Sequence, residues 1–331
     1  MSEARERPVR PGHLRVLAAR HPFSVFLALV FGAGWPILTV PVLVDRGLID
    51  GPSVPAEFFA LAVTWLVMLP AALWVTAATG GRRAVRDLLA RAVRWRLGPW
   101  WAVVLLALPA TTLLVGFALG GSLDTSGTVS TFLTGLLSLL TAVLVIHLVE
   151  ETVWAGFLQT GLQGRHSLVV AALLTSVPFG AIHLPLLLVG KTWGLPVLIA
   201  AAKLLLLGIG MRLMIGVFLR GTGSVLAAGL VHGVFNASNN RGGLVDGILK
   251  GADQNLAAPI ALVVVTALVA VAGRRYSRGG HVSPAAPSGS AADPVRPSGS
   301  PTSELLGAVP QPPQRAAAPR PHPLPKEGTQ C

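Results

Sequence analysis

Two adjacent carboxylates lie inside one of the most apolar parts of the chain. The segment HLVEETVWAGF, residues 147–157, contains Glu150 and Glu151 side by side. An ionisable side chain is costly at the centre of a bilayer, so such residues are candidates for function. Neighbouring helical residues point about 100° apart, so both carboxylates can border one cavity. A carboxylate there can act as a general base. The simpler alternative is a pair turned toward water near Arg165.

Two later clusters combine histidine with a second residue at helical spacing. FGAIHLP has Phe179 four residues before His183, and HGVFN has His232 four residues before Asn236. Residues four apart share a helix face, and imidazole and amide groups can donate or accept hydrogen bonds. The simpler alternatives are a packed core histidine at His183 and a helix–helix hydrogen bond from His232 and Asn236.

The elements that carry these clusters are predicted to be membrane-spanning helices. The chain has 331 residues, of which 52% are hydrophobic and 12% charged, whereas globular domains carry about 25% charged residues. Apolar runs of about 20 residues recur along the chain. We predict an all-α, polytopic membrane helix bundle of eight spans, with seven as the alternative. The eight runs cover residues 23–44, 58–79, 100–120, 131–160, 167–189, 195–219, 224–240 and 257–273.

The charge distribution predicts an orientation. The net charge of +12 is the sum of +3 in residues 1–20, +5 in residues 80–98 and +4 in residues 274–331. An eight-span layout puts 20 Lys and Arg residues on one side of the membrane and four on the other. This bias predicts a multi-pass protein of the cell membrane with both termini cytoplasmic. Nucleic-acid binding is disfavoured, because no folded soluble region carries a basic patch.

Composition also divides the chain into three parts. Residues 1–22 are a basic cytoplasmic N-terminus and not a secretory signal, because the apolar run that follows is too long. Residues 23–273 form the transmembrane bundle. Residues 274–331 are rich in Pro, Ser and Ala and are predicted to be a disordered cytoplasmic tail. Cys331 is the only cysteine, which excludes intrachain disulfides and Cys-based metal clusters. The usage of Ala, Arg, Gly and Pro indicates a high-GC bacterial source.

Taken together, the three clusters resemble the CAAX-protease and bacteriocin-processing (CPBP) family of intramembrane endopeptidases. Glu-Glu, Phe-x-x-x-His and His-x-x-x-Asn occur in that order, and the resemblance covers about residues 130–240. The first motif of the family is Glu-Glu-x-x-x-Arg, usually followed by Gly. Gly156 matches this pattern, but Ala155 occupies the position of the Arg.

The resemblance implies a role for each matching residue. Glu150 with His183 would activate water, His232 and Asn236 would stabilise the oxyanion, and Glu151 would support them. Peptide-bond hydrolysis requires such a base and such donors. The partners implied are a peptide or protein substrate at the membrane and the lipid bilayer. No cofactor is firmly implied. His183, His232 and Glu150 can also bind a divalent metal such as zinc, so a metalloprotease and a metal-free glutamate protease both stay open.

Ala155 leaves Glu151 without the basic partner that the family motif supplies. By spacing, His147 or Arg212 is a candidate for that pairing, and we count both, with Phe179, as supporting residues. Two alternatives to an active protease stay open. One is a weak or inactive family member that acts in bacteriocin self-immunity or as a scaffold. The other is an ion- or proton-coupled transporter, for which inverted repeats would be expected.

Overall fold

The helices of this protein follow the apolar runs of its sequence. The structure is a computed structural model, and it describes residues 12–52, 54–124, 128–239, 244–245, 248–251 and 254–279. The helices are α1 (His13–Arg20), α2 (Pro22–Asp45), α3 (Ala56–Val63), α4 (Leu69–Ala92), α5 (Trp100–Ala118), α6 (Thr128–Ala142), α7 (Leu148–Glu151), α8 (Thr160–Gln163), α9 (Leu168–Ile182), α10 (Leu195–Thr222), α11 (Val225–Asn239) and α12 (Gln254–Gly279). This architecture confirms the all-α membrane bundle.

The described residues contain one short two-stranded ladder besides the helices and loops. β1 (Ser122–Leu123) pairs antiparallel with β2 (Leu249–Lys250), next to the C-terminal end of α5. A short 3₁₀ helix, Pro185–Leu188, follows α9. The predicted tail lies outside the described residues from residue 280 onward, and so does the N-terminal segment up to residue 11.

Five helices are long and apolar enough to cross a membrane, in the part of the chain that the structure describes. They are Pro22–Asp45, Ala56–Ala92, Trp100–Ala118, Val129–Gln163 and Leu195–Thr222. These helices make the chain a multi-pass membrane protein. The remaining predicted runs correspond to α9, α11 and α12, but α9 and α11 have 15 residues each. At 1.5 Å per residue each is about 22 Å long, against about 30 Å of hydrocarbon. The count of eight spans is therefore not confirmed.

Wide π-helical turns connect several helices into longer continuous ones. Thr64–Met68 joins α3 to α4, and the segments Val143–His147 and Thr152–Gln159 flank α7. The helix is consequently continuous from residue 128 to residue 163, with both glutamates on the short α-helical turn between two π segments. Such π segments are rare and often occur at functional sites.

Two glycines bring α11 close to the glutamate-bearing helix. A Cβ on Gly229 would lie 3.1 Å from the Cα of Leu148, and one on Gly233 would lie 3.2 Å from the ring of His147. Small residues four apart are typical of tightly packed membrane helices. This packing places His232, between the two glycines, beside the carboxylates.

Candidate active site

Glu151 is a fully buried carboxylate that accepts three hydrogen bonds. Arg212 of α10 donates from Nη1 to Oε2 at 2.7 Å and from Nη2 to Oε1. Nδ1 of His232 donates to Oε1 at 2.8 Å. Arg212 is itself fully buried. The two-pronged geometry is typical of strong Arg–carboxylate pairs. The sequence suggested His147 or Arg212 as the partner of Glu151, and in the structure the partner is Arg212.

Glu150 has a different set of neighbours. Its carboxylate oxygens lie 3.7 Å from Nε2 of His183, 3.8 Å from Nδ1 of His147 and 3.8 Å from Nδ1 of His232. These distances are longer than a direct hydrogen bond between nitrogen and oxygen. Three imidazoles therefore surround this carboxylate at a distance that leaves its oxygens available to a small ligand.

Hydrogen bonds at Nδ1 fix the orientation of two of these rings. Nδ1 of His183 lies 2.7 Å from the carbonyl oxygen of Phe179, to which it can only donate. Its Nε2, which faces Glu150, then carries the lone pair of the neutral ring. Likewise, the bond from Nδ1 of His232 to Glu151 leaves Nε2 of His232 available. The four-residue spacing between Phe179 and His183 therefore allows the backbone carbonyl of Phe179 to orient the His183 ring.

His147 contacts Glu150 and Asn236, and not Glu151 as the spacing suggested. Its Nε2 lies 3.4 Å from Nδ2 of Asn236, which donates to it across this long hydrogen bond. The proton of the neutral ring is then at Nδ1, which faces Glu150. The rings of His147 and His232 lie 4.3 Å apart between centroids at an angle of 31°. His147 thus touches the carboxylate, the amide and the imidazole of the predicted site.

Phe179 covers the buried ion pair. The guanidinium of Arg212 lies over its ring, 4.5 Å from the centroid. Trp154 and His232 meet the same ring edge-on, with centroids 5.9 Å away in both cases. A cation over an aromatic face is stabilised electrostatically, most of all in a desolvated site. Phe179 therefore has two contacts at the site: its ring covers the Arg212–Glu151 pair, and its carbonyl oxygen binds His183.

A cavity of about 190 Å³ adjoins this cluster. Its polar lining consists of Thr64, His147, Glu150, His183, His232 and Asn236. The rest of its lining is largely apolar and comes from α2, α3, the adjacent π segments and the end of α9. Four of the five residues predicted to be catalytic meet in this cavity. The fifth, Glu151, is fully buried and is not among the lining residues, like its partner Arg212.

Two tryptophans that the sequence did not single out support the site from outside. Nε1 of Trp35 donates to the carbonyl oxygen of Ala181 at 3.1 Å, and Nε1 of Trp65 donates to that of Val145 at 2.8 Å. Each acceptor lies two residues before a site histidine. An indole N–H in an apolar span needs a hydrogen-bond acceptor, so tryptophans in the predicted spans could have indicated contacts of this kind.

Some of these groups could also bind a metal ion. Ligand atoms of His147, Glu150 and His232 lie within 4.8 Å of one another. Two imidazoles and a carboxylate suit zinc and leave one coordination position for water. The donor set therefore fits a divalent ion. It contains His147, whereas the set suggested from the sequence contained His183.

Ala155 is fully buried in an apolar cluster that includes Ile215 and Val225. Its backbone is part of the π-helical segment Thr152–Gln159, so the α-helical spacing that would pair Glu151 with an arginine at this position does not apply there. Arg91 of α4 donates from Nη2 to the carbonyl oxygen of the next residue, Gly156, at 2.7 Å. A small residue in place of the motif arginine fits this packing.

The helices and the buried cluster define a multi-pass membrane protein with a Glu/His site inside its bundle. A family model described as type II CAAX prenyl endopeptidase, Rce1-like, matches residues 131–238, about a third of the chain. The match supports the resemblance of this part of the chain to the CAAX-protease and bacteriocin-processing family. No curated protein matches the chain.

Proposed function

We propose that this protein is an intramembrane endopeptidase in which Glu150 is the general base. The observation that carries the proposal is the contrast between two adjacent carboxylates. The oxygens of Glu150 face three imidazoles and a cavity, whereas Glu151 accepts three hydrogen bonds from Arg212 and His232 and does not border the cavity. The family model supports the same class of reaction.

In the first step, Glu150 takes a proton from a water molecule in the cavity. The lone pair at Nε2 of His183, 3.7 Å from Glu150, accepts the other hydrogen of that water and orients it. The water oxygen then attacks the carbonyl carbon of the scissile peptide bond. When this bond breaks, the proton held by Glu150 passes to the leaving amine, which regenerates the carboxylate.

His232 and Asn236 stabilise the oxyanion that forms during the attack. Because Nδ1 of His232 is bound to Glu151, its Nε2 can donate only when the ring is an imidazolium. The adjacent carboxylate of Glu151 stabilises that cation. Nδ2 of Asn236 supplies a second donor from the same helix. Donors fixed in advance in a poorly hydrated site are a major source of transition-state stabilisation.

A divalent metal is the alternative that the donor set leaves open. His147, Glu150 and His232 would hold the ion, which would supply Lewis-acid chemistry when bound. In that case His183 and Asn236 keep their roles as hydrogen-bonding groups around the substrate.

The substrate class follows from the location of the site. A cavity inside a membrane bundle favours a peptide or protein segment that lies in or at the bilayer. We further propose a cell-membrane location in a bacterium, with both termini cytoplasmic. The transmembrane bundle would comprise residues 23–273, and its CPBP-like core would be residues 130–240. Residues 1–22 and 274–331 would be cytoplasmic extensions of this bundle.

Cleavage of a peptide panel by the purified protein tests this proposal. Wild type is compared with Glu150→Gln, and Glu57→Gln, an exposed glutamate of α3, is the matched control. We expect wild type and Glu57→Gln to cut the same peptides and Glu150→Gln to cut none at a comparable rate. Equal cleavage by all three proteins would exclude Glu150 as the base. A parallel series with a chelator separates the metal-free mechanism, which is insensitive, from the metal-dependent one.

A further inference from the structure

The helix that contains α4 bends at Gly81. This glycine has a φ of 67°, in the left-handed region that favours glycine. The continuous helix Ala56–Ala92 has 37 residues, about 55 Å at 1.5 Å per residue, whereas the hydrocarbon layer is about 30 Å thick. The part before Gly81, at about 37 Å, is already long enough to cross the layer. Residues 82–92 therefore lie beyond the span.

The helix beyond the bend has one buried face and one basic face. Leu88 and Ala92, four residues apart, are 3% and 7% exposed and pack inward. The exposed face carries three basic side chains, Arg82, Arg83 and Arg86. Residues 82–96 together contain six arginines and one aspartate. An amphipathic helix with a basic polar face is typical of segments that lie in the membrane interface.

The ends of two other spans meet the segment that follows this helix. Nη1 of Arg94 donates to the carbonyl oxygen of Thr222, the last residue of α10, at 3.4 Å. Nε1 of Trp101, in the first turn of α5, donates to the carbonyl oxygen of Trp95 at 3.0 Å. Both α5 and α10 are long and apolar enough to cross a membrane. Because each has one end here, Arg94 and Trp95 lie at the level of the lipid headgroups.

A groove of about 570 Å³ lies in this segment, and we call it the Arg94–Arg96 groove. Its lining residues are Ala90, Val93, Arg94, Trp95, Arg96 and Thr222, none of which carries a carboxylate. The guanidinium of Arg96 lies 5.8 Å from the centroid of the Trp95 ring. A guanidinium has five N–H donors, so Arg94 can bind Thr222 and an oxygen of an anion at the same time. The groove therefore has the donors that a phosphate group requires.

A second groove with similar residue types provides a contrast. It has a volume of about 540 Å³ and is lined by Asp45, Arg46, Gly190, Lys191, Thr192 and Trp193. It also has two basic side chains and a tryptophan, but the carboxylate of Asp45 is part of its lining and accepts the backbone N–H of Gly190 at 2.9 Å. A carboxylate close to two cations offsets part of their attraction for an anion. We call this one the Asp45 groove.

Exposed apolar side chains adjoin the Arg94–Arg96 groove. Leu89, Val93 and Trp95 are 43%, 67% and 63% exposed. A free phosphate ion makes no use of such side chains, whereas a phospholipid has acyl chains that cover them. Basic pockets between membrane helices are typical sites for anionic lipid headgroups. The combination of donors and apolar surface favours a lipid over a soluble anion.

We propose that the Arg94–Arg96 groove binds the headgroup phosphate of an anionic phospholipid. The phosphate accepts hydrogen bonds from both guanidiniums, and the acyl chains contact Leu89 and Val93. This lipid site does not depend on the proposed catalytic function.

A bound lipid would also act on the helix that carries the glutamates. Arg91, on the same surface helix, donates from Nη2 to the carbonyl oxygen of Gly156 at 2.7 Å and from Nη1 to the hydroxyl of Thr160 at 3.2 Å. The surface helix is thus attached directly to the π-helical segment that follows Glu151. A lipid at its end would therefore stabilise the folded bundle.

Thermal unfolding of the full chain in detergent micelles with added ligand tests this proposal. Phosphatidylglycerol is the anionic lipid, phosphatidylcholine the zwitterionic one, and glycerol 3-phosphate supplies a phosphate without acyl chains. Arg94→Gln/Arg96→Gln is compared with Arg46→Gln/Lys191→Gln, which removes two exposed basic residues at the Asp45 groove. A ligand that binds the folded protein raises Tm with its concentration. The concentration that gives half of this rise, relative to each protein without ligand, measures the affinity.

We expect phosphatidylglycerol to raise the Tm of wild type and of Arg46→Gln/Lys191→Gln at similar concentrations. Arg94→Gln/Arg96→Gln should need about 25-fold more lipid, because each basic residue at an anionic surface contributes about fivefold in affinity. Each Tm is compared with that of the same protein without lipid, so a lower starting stability does not affect the result.

Three results would overturn the proposal. An equal rise with phosphatidylcholine, or no rise with either lipid, would exclude an anionic-lipid site. An equal rise with glycerol 3-phosphate would show that the groove binds soluble phosphate. Equal weakening in the two double variants would show that the lipid responds to net charge and not to the Arg94–Arg96 groove.

Discussion

Glu150 and Glu151 are neighbours in sequence but have opposite surroundings. Glu151 is fully buried and bound by a guanidinium and an imidazole, while the oxygens of Glu150 lie 3.7 to 3.8 Å from three imidazole nitrogens beside a cavity. Glu151 is held by three donors and does not border the cavity, so it can hold its neighbours in position. Glu150 borders the cavity and can accept a proton there. From this comparison we propose a structural role for Glu151 and the catalytic role for Glu150.

Substitution in the Glu151–Arg212 ion pair is expected to have the largest effect on stability. Arg212→Met would leave a buried carboxylate without its cation and with two hydrogen bonds fewer, and removing one partner of a buried pair costs about 3–5 kcal/mol. We expect a loss of this size in the free energy of unfolding, measured by denaturation in mixed micelles. Arg220→Met, at the exposed end of the same helix, is the control and should change stability little.

The double variant sharpens this prediction. Replacing a whole buried ion pair by apolar residues is often neutral or stabilising. Glu151→Leu combined with Arg212→Met should therefore recover most of the stability that Arg212→Met loses. Its cleavage rate should stay low, because His232 loses the acceptor at Nδ1. A double variant that is as unstable as the single one would show that the pair is not an isolated electrostatic unit.

An intermediate effect is expected at His147, which touches Glu150 and Asn236. His147→Phe keeps a ring against His232 but removes both nitrogens. One hydrogen bond contributes about 0.5–1.5 kcal/mol, so we expect cleavage to fall about tenfold with little change in unfolding. If activity falls as far as in Glu150→Gln, His147 takes part in the chemistry itself.

The smallest effects are expected at the two tryptophans on the periphery. Trp35→Phe and Trp65→Phe remove one indole donor each, and hydrogen bonds between membrane helices average about 0.6 kcal/mol. Each variant should lower the free energy of unfolding by about that amount and should slow cleavage less than His147→Phe does. Trp74→Phe, another partly exposed tryptophan, is the control. A loss of several kcal/mol in either variant would mean that these contacts hold the bundle together.

Much of the bundle was predictable because local patterns encode it. The hydropathy of the runs predicted the helices, of which five in the described residues are long and apolar enough to span a membrane. The i,i+4 spacing predicted the Phe179–His183 and His232–Asn236 clusters. The partner of Glu151 was only partly predictable, because Arg212 is 61 residues away and the contact depends on how α10 packs. The tryptophan contacts are equally non-local, since Trp65 and Val145 are 80 residues apart.

Spacing alone could not decide between the two partners suggested for Glu151. His147 is four residues before Glu151 and three before Glu150, and both separations put residues on one helix face. In the structure His147 contacts Glu150, and Arg212 is the partner of Glu151. The π turns on either side of α7 were not predicted, because nothing in the residue types there distinguishes a π turn from an α turn.

The division of labour between the two glutamates is tested most directly by one paired measurement. Cleavage rate and free energy of unfolding are measured together for wild type, Glu150→Gln and Glu151→Gln. Loss of a general base typically costs about 10²–10⁴-fold in rate. We predict a loss of that size for Glu150→Gln at unchanged stability, and a clear loss of stability for Glu151→Gln. A folded Glu150→Gln that cleaves at the wild-type rate would contradict the assignment of the base.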